Sequence, residues 1–204
     1  MDLLEGLNNE QRDAAQTITG PLLILAGAGS GKTKTLTHRI ALLIAEQQVW
    51  PSHILAVTFT NKAAKEMRER LAHLVRQPND RSFMPWMGTF HGICVRLLRM
   101  DGDVIDVPRN FVIYDEDDRQ GLVKQVMKSM SLSDREMKPS AVSGAISSAK
   151  NALQTPEEYE AAANYPFQKN VAKVYSEYER RRKQAKALDF DDLLIEAVDR
   201  KSVV

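Results

Sequence analysis

Five apolar residues, Leu22-Leu23-Ile24-Leu25-Ala26, run directly into Gly27-Ala28-Gly29-Ser30-Gly31-Lys32-Thr33. Few local patterns restrict a chain more. The apolar run, set off by Gly20-Pro21, reads as a strand buried on both faces. The glycine-rich turn and the Lys-Thr after it read as a phosphate-binding loop that opens a helix. Small residues let backbone N–H groups turn inward around phosphate oxygens without a Cβ in the way. The helix N-terminus adds partial positive charge at the same place. Lys32 is positioned to reach the outer phosphates, and the Thr33 hydroxyl to hold a phosphate-bound Mg²⁺. Ala26 stands where the generic pattern begins with glycine, which alanine tolerates at negative φ. A turn that binds nothing is the competing reading, and it leaves the order strand, loop, Lys-Thr, helix without a reason.

Around the loop the spacing predicts alternating strands and helices. Asn8 or Asn9 caps a short helix to about residue 17. Leu36, Ile40, Leu43 and Ile44 recur at helical spacing after Lys32. Residues 54–59 read as a second buried strand, 61–75 as an amphipathic helix, 86–89 as a third strand and 91–100 as a helix. Strand–helix–strand–helix–strand argues an α/β fold with a parallel sheet covered on both faces. Near Pro108 the texture changes. After a strand candidate at 111–114, Asp115-Glu116-Asp117-Asp118 caps the first of several helices. Residues 167–186 read as one long polar helix in which Arg180-Arg181-Arg182-Lys183 forms a solvated face. A further helix starts at Leu188. Its Asp189 and Asp192 share a face that Asp191 does not, which argues against a metal site. The expected division is 1–110 for the first part of the α/β domain, 111–186 for an inserted helical subdomain and 187–204 for a return to the first. Three or four strands are few for such a sheet, so the chain reads as truncated.

Charge is silent about partners. The chain has 28 Lys+Arg against 27 Asp+Glu, net +1. Up to Asn110 there are 13 basic and 11 acidic residues, and after it 15 and 16. Neither half has the basic surplus that announces a nucleic-acid binder. Cys94 is the single cysteine; with no disulfide or zinc spacing available, a reducing, cytoplasmic compartment is expected. The longest near-apolar stretch, 21–29, is about half of what a bilayer span requires, so no membrane partner is expected.

Three segments accompany the phosphate loop: Leu7-Asn8-Asn9-Glu10-Gln11 before it, Ala56-Val57-Thr58-Phe59-Thr60-Asn61-Lys62-Ala63-Ala64 at the end of the second strand, and Gly88-Thr89-Phe90-His91 at the end of the third. Together the four resemble the N-terminal part of superfamily 1 helicases of the UvrD/Rep/PcrA type, and the likeness runs on to Leu188-Asp189-Phe190-Asp191-Asp192-Leu193. The resemblance implies a truncated RecA-like P-loop domain, 1A, with the helical insert as subdomain 1B. It implies ATP and Mg²⁺ as cofactors, held by Ala26, Gly27, Ala28, Gly29, Ser30, Gly31, Lys32 and Thr33. Gln11 is implied to read the adenine edge, and Lys34 and Arg39 to face the nucleotide. Lys34 stands where many relatives have arginine and lacks its fork and stacking plane.

For the other two segments the resemblance implies single-stranded DNA contacts by Phe59, Thr60, Asn61, Lys62, Thr89, Phe90 and His91. Both lie beyond the carboxyl ends of expected parallel strands, where open α/β sheets bind ligands. The implied activity is 3′–5′ translocation on single strands and unwinding at single-strand/duplex junctions. No apolar strand ending in Asp-Glu occurs in the 204 residues. The resemblance therefore makes the chain the N-terminal part of a longer motor, inactive alone, whose other domains carry the missing carboxylates and arginine fingers. The alternatives are the helicase half of a helicase–nuclease, a non-catalytic ATP-gated DNA-binding module and a small-molecule P-loop kinase.

Overall fold

The computed structural model describes residues 2–27, 29–80, 82–133 and 137–199. The chain divides into two compact units, Met1–Ile93 and a second formed by residues 94–204. The fold is α/β, with short parallel sheets among helices.

In the first unit, α1 (Asn9–Gln16) begins with a reciprocal capping box. Asn8 accepts from the Gln11 N–H at 2.8 Å, and the Gln11 side chain accepts from the Asn8 N–H at 3.1 Å. Helix α2 (Lys32–Ala45) starts at the phosphate loop. Strand β1 (Ala56–Thr58) leads into α3 (Asn61–Val75), and β2 (Met87–Thr89) leads into α4 (Phe90–Asp101). β1 and β2 pair in parallel with Ala56 opposite Met87 and Thr58 opposite Thr89. One core binds α2, β1, α3 and β2: Ile40 and Ala41 from α2, Ala56 from β1, Met67 and Leu71 from α3, and Met84 and Met87 at β2; α1 packs separately, with Ala15 against Leu7 and Leu42.

The 22–26 segment corrects the sequence expectation. It forms no strand and pairs with none of the described strands, and Leu23 and Leu25 are 80% and 86% exposed. Apolar residues supply the inclination to form a buried strand. A ladder also needs a neighbour's N–H and C=O groups, and none of the described strands lies beside it.

In the second unit, β3 (Val112–Tyr114) pairs in parallel with β4 (Ala187–Asp189). Residues 187–189 were expected to precede or start a helix. All three are buried in the ladder, and α9 (Phe190–Asp199) starts only after it. The four short strands therefore form two two-stranded sheets rather than one. Helices α5 (Glu116–Ser129), α6 (Pro139–Asn151), α7 (Pro156–Ala162) and α8 (Pro166–Gln184) fill the rest. Val123, Val126, Met127, Val142, Ile146, Val171, Val174 and Tyr178 make their common core. Each such side chain is worth about 1.5–3 kcal/mol when fully buried.

A buried ionic network joins α6 and α8 to β4 and α9, and sequence reasoning missed it. The Lys150 ammonium lies 2.7 Å from carboxylate oxygens of Asp189, Asp192 and Glu179. Arg182 adds Glu179 at 2.6 Å and Asp192 at 3.0 Å, and donates to the Ala187 carbonyl at 2.6 Å. The Tyr178 hydroxyl donates to Asp189 at 2.7 Å. Arg182 is 2% exposed, so it does not belong to a solvated face as expected.

Two cations thus meet three carboxylates. Burial opposes ionisation of Asp189, yet the charge and hydrogen bond of Lys150, the Asp192 N–H and the Tyr178 hydroxyl hold its carboxyl well below the usual range. Glu179 is lowered too, with Arg182 and Lys150 outweighing burial. Asp192 is the odd carboxyl. Burial, with the neighbouring charges of Asp189 and Glu179, pushes it up to about 7 against the pull of Lys150 and Arg182.

The signs fix a pH profile. Asp189 and Glu179 stabilise the fold above their unfolded values near 4, and that contribution is lost as pH falls through their lower folded values. Asp192, being raised, contributes most below its unfolded value and loses that contribution as pH rises through about 7. The second unit contains no histidine to confuse this window, and all five tyrosines lie in it while both tryptophans, Trp50 and Trp86, lie in the first. Thermal melting followed by the near-ultraviolet tyrosine signal is expected to peak at about pH 4–5 and to decline as pH rises toward about 7. A melting temperature still climbing from about pH 6 to 8 contradicts the charge count of the network.

Candidate nucleotide and nucleic-acid sites

The candidate phosphate loop is built by two left-handed glycines. Gly29 has φ +76° and Gly31 φ +84°. A Cβ at Gly31 would lie 2.8 Å from Gln11 Nε2, so both conformation and space demand glycine there. Gly31 is also the N-cap of α2 and offers no side chain to accept from the first turn. The leading N–H groups of that helix are thereby left to an outside acceptor. Nothing stands within 4 Å of a Cβ built at Gly27 or Gly29, so the loop has open space before it. The Lys32 ammonium bends over the loop and donates to the carbonyls of Ala26 at 2.9 Å and Gly27 at 2.6 Å. The Ser30 hydroxyl donates to the Gly27 carbonyl at 2.7 Å. Thr33 is half-buried in the first turn of α2. Donors, open space and an uncapped helix start fit a polyphosphate and its cation. Ala28 lies outside the described residues.

Gln11 and Lys34 are brought to this end of the unit and Arg39 to the far end of α1, and all three bind backbone. Gln11 Nε2 donates to the Ser30 carbonyl at 2.9 Å. Lys34 Nζ donates to the Gly6 carbonyl at 2.5 Å. Arg39 donates to the carbonyls of Ala14, at 3.0 Å, and of Thr17.

The second group of residues gathers at the ends of β1 and β2. Parallel register puts Thr58 opposite Thr89, so the residues that follow, Phe59 and Phe90, emerge side by side. Their ring centroids are 5.7 Å apart at an interplanar angle of 48°. Phe59 is 91% exposed and Phe90 43%. Large aromatic rings left in water beside one another are not core packing. Thr60 accepts from the Ala63 N–H at 3.1 Å, capping α3, and Thr89 accepts from the Gly92 N–H at 3.1 Å. Each hydroxyl keeps its proton to donate. Asn61 and Lys62 are exposed at the start of α3, and His91 is half-buried in α4. Cys94, on the same helix, is half-buried, and burial pushes its thiol up, away from nucleophile chemistry.

Residues 7–202 match the family described as UvrD/REP helicase N-terminal domain. The chain belongs to that family. ATP-dependent DNA helicase PcrA of Staphylococcus epidermidis is 48% identical over 197 residues, covering 97% of this chain and 27% of that protein. PcrA of Leuconostoc citreum is 47% identical over 197 residues, covering 97% of this chain and 26% of that protein. PcrA of Staphylococcus aureus is likewise 47% identical, with 97% and 27% covered. The chain thus spans about a quarter of the length of the curated relatives it matches. Within the first unit the glycine-rich loop opens α2 and the exposed aromatic pair follows β1 and β2, and α2, β1 and β2 share one core. Among the described residues no helix is long and apolar enough to cross a membrane.

Proposed function

We propose that this chain is the ATP- and single-strand-binding part of an ATP-dependent DNA helicase that translocates 3′ to 5′. The observation that carries the reading is the aromatic pair. A phosphate loop alone suits a kinase, but a kinase has no use for Phe59 and Phe90 exposed together at the ends of parallel strands. Bases stack on such rings without regard to sequence. Thr60, Asn61, Thr89 and His91 supply short polar groups for phosphate and sugar, and Lys62 a cation.

ATP phosphates would lie on residues 29–33, with Mg²⁺ at the Thr33 hydroxyl and the adenine near Gln11 and Lys34. When bound, Mg²⁺ would supply neutralisation of the phosphate charge. Lys32 exchanges its carbonyl partners for phosphate oxygens, and the α2 N–H groups hold the same anion. In this reading the first unit is the beginning of a RecA-like domain 1A, the helices between β3 and β4 form subdomain 1B, and the rest of the motor supplies a water-orienting carboxylate and arginine fingers. The 204 residues alone are then expected to hydrolyse ATP poorly. Cytoplasmic duty at single-strand/duplex junctions in repair or replication follows from the same assignment.

The test is single-strand binding by fluorescence anisotropy in the full-length protein. Phe59→Ala and Phe90→Ala are each expected to cost about 1–3 kcal/mol. The double variant should cost less than their sum, because the rings touch. Phe59 is exposed enough that its truncation should leave the fold alone. Unchanged affinity in both single variants removes the aromatic pair from the interface and with it this reading.

A further inference from the structure

Helix α2 holds the N-terminal segment through a row of side chains that grip backbone. Lys34 takes the Gly6 carbonyl, His38 Nδ1 lies 2.6 Å from the Leu3 carbonyl, and Arg39 takes the carbonyls of Ala14 and Thr17. Arg39 stands at the carboxyl end of α1, where a cation also meets the negative end of the helix dipole. The other end of α1 touches the phosphate loop. There the Gln11 amide is pinned on both sides, its oxygen by the Asn8 N–H and its nitrogen by the Ser30 carbonyl. An amide so held keeps one N–H and one lone pair free, the complement of an adenine edge, in a single orientation. Gly31 abuts the same nitrogen, so any shift of α1 is felt where α2 begins.

We propose that Arg39 is a positioning residue for base recognition: by clamping the carboxyl end of α1 onto α2, it fixes the Gln11 amide against Ser30. The proposal rests on the ATP-binding reading above. It assigns Arg39 no contact with nucleotide, in contrast to the role the family resemblance suggested. It also separates two recognitions that the loop could otherwise share. The phosphates depend on residues 29–33, and the base depends on α1 being docked.

The experiment compares binding of Mg²⁺·ATP and of inorganic triphosphate by the full-length protein. Arg39→Ala is expected to weaken ATP about tenfold, or about 1.4 kcal/mol, while leaving triphosphate within about twofold. Gln11→Ala should do the same, and the double variant should be no worse than either, since both break one chain of contacts. Arg39→Lys, which can still reach one carbonyl, should recover part of the loss. Amide hydrogen exchange without nucleotide should quicken over residues 9–16 in Arg39→Ala, while unchanged exchange over 61–75 in α3 confirms an intact first unit. Equal weakening of ATP and triphosphate would overturn the proposal, because Arg39 would then support the loop as a whole. So would unchanged ATP affinity beside a weakened Gln11→Ala, or quickened exchange over 9–16 with ATP binding intact. Failure of the unaltered protein to bind either ligand is a different result: it removes the ATP-binding reading, and the proposal with it.

Discussion

Lys32→Ala is expected to lower ATP hydrolysis by the full-length protein roughly a hundred- to a thousandfold, about 3–4 kcal/mol of transition-state stabilisation. The Lys32 ammonium is the loop's own cation, and it rests on the carbonyls of Ala26 and Gly27, close to where phosphate oxygens are expected. Its charge is most effective on the outer phosphates, where negative charge shifts during transfer. Alanine leaves the two carbonyls to water at an exposed position, so thermal stability should change little. Steady-state hydrolysis with a melting curve beside it checks both halves. Near-normal turnover in a folded variant would place the phosphates elsewhere.

The second large effect concerns stability. Lys150→Ala removes the ammonium on which Asp189, Asp192 and Glu179 converge, and Asp189 and Asp192 are 1% and 4% exposed. Breaking a buried ion pair by deleting one partner typically costs about 3–5 kcal/mol, because the other charge stays buried without compensation. Arg182 softens the loss at Glu179 and Asp192 but does not reach Asp189 as an ion pair. The variant should therefore unfold its second unit at much lower denaturant, read by the tyrosine signal, while the Trp50 and Trp86 signals of the first unit move far less. Equal loss in both signals would mean that the two units unfold as one.

How much of this was legible in the sequence depends on which interactions are local. The α1 cap at Asn8, the span of α3 at 61–75 and the cap of α5 at Asp115 rest on contacts three residues apart, and all were readable. The loop at Gly29 and Gly31 was readable for the same reason. The strand expected at 22–26 failed because hydropathy names a strand's character and not its neighbour. β4 was hidden inside an apparent helix start, since its pairing with β3 spans about seventy residues of chain. Nothing in the pattern of Lys150, Asp189 and Asp192 points to their meeting, 39 and 42 residues apart. At the candidate sites the residue types were right while their partners were not legible. Lys34 and Arg39 are charged residues next to a phosphate loop, which suggests a ligand, whereas the structure turns both onto backbone carbonyls of the N-terminal segment.

The central claim is that the phosphate loop and the aromatic pair, joined by the core of α2, β1 and α3, work as one device. ATP hydrolysis by the full-length protein, with and without single-stranded DNA, tests it most directly. The account predicts strong stimulation by DNA, reduced by Phe59→Ala and abolished by Lys32→Ala, with little turnover from the 204 residues alone. Hydrolysis indifferent to DNA would contradict it and leave a nucleotide-binding domain whose exposed phenylalanines serve something else.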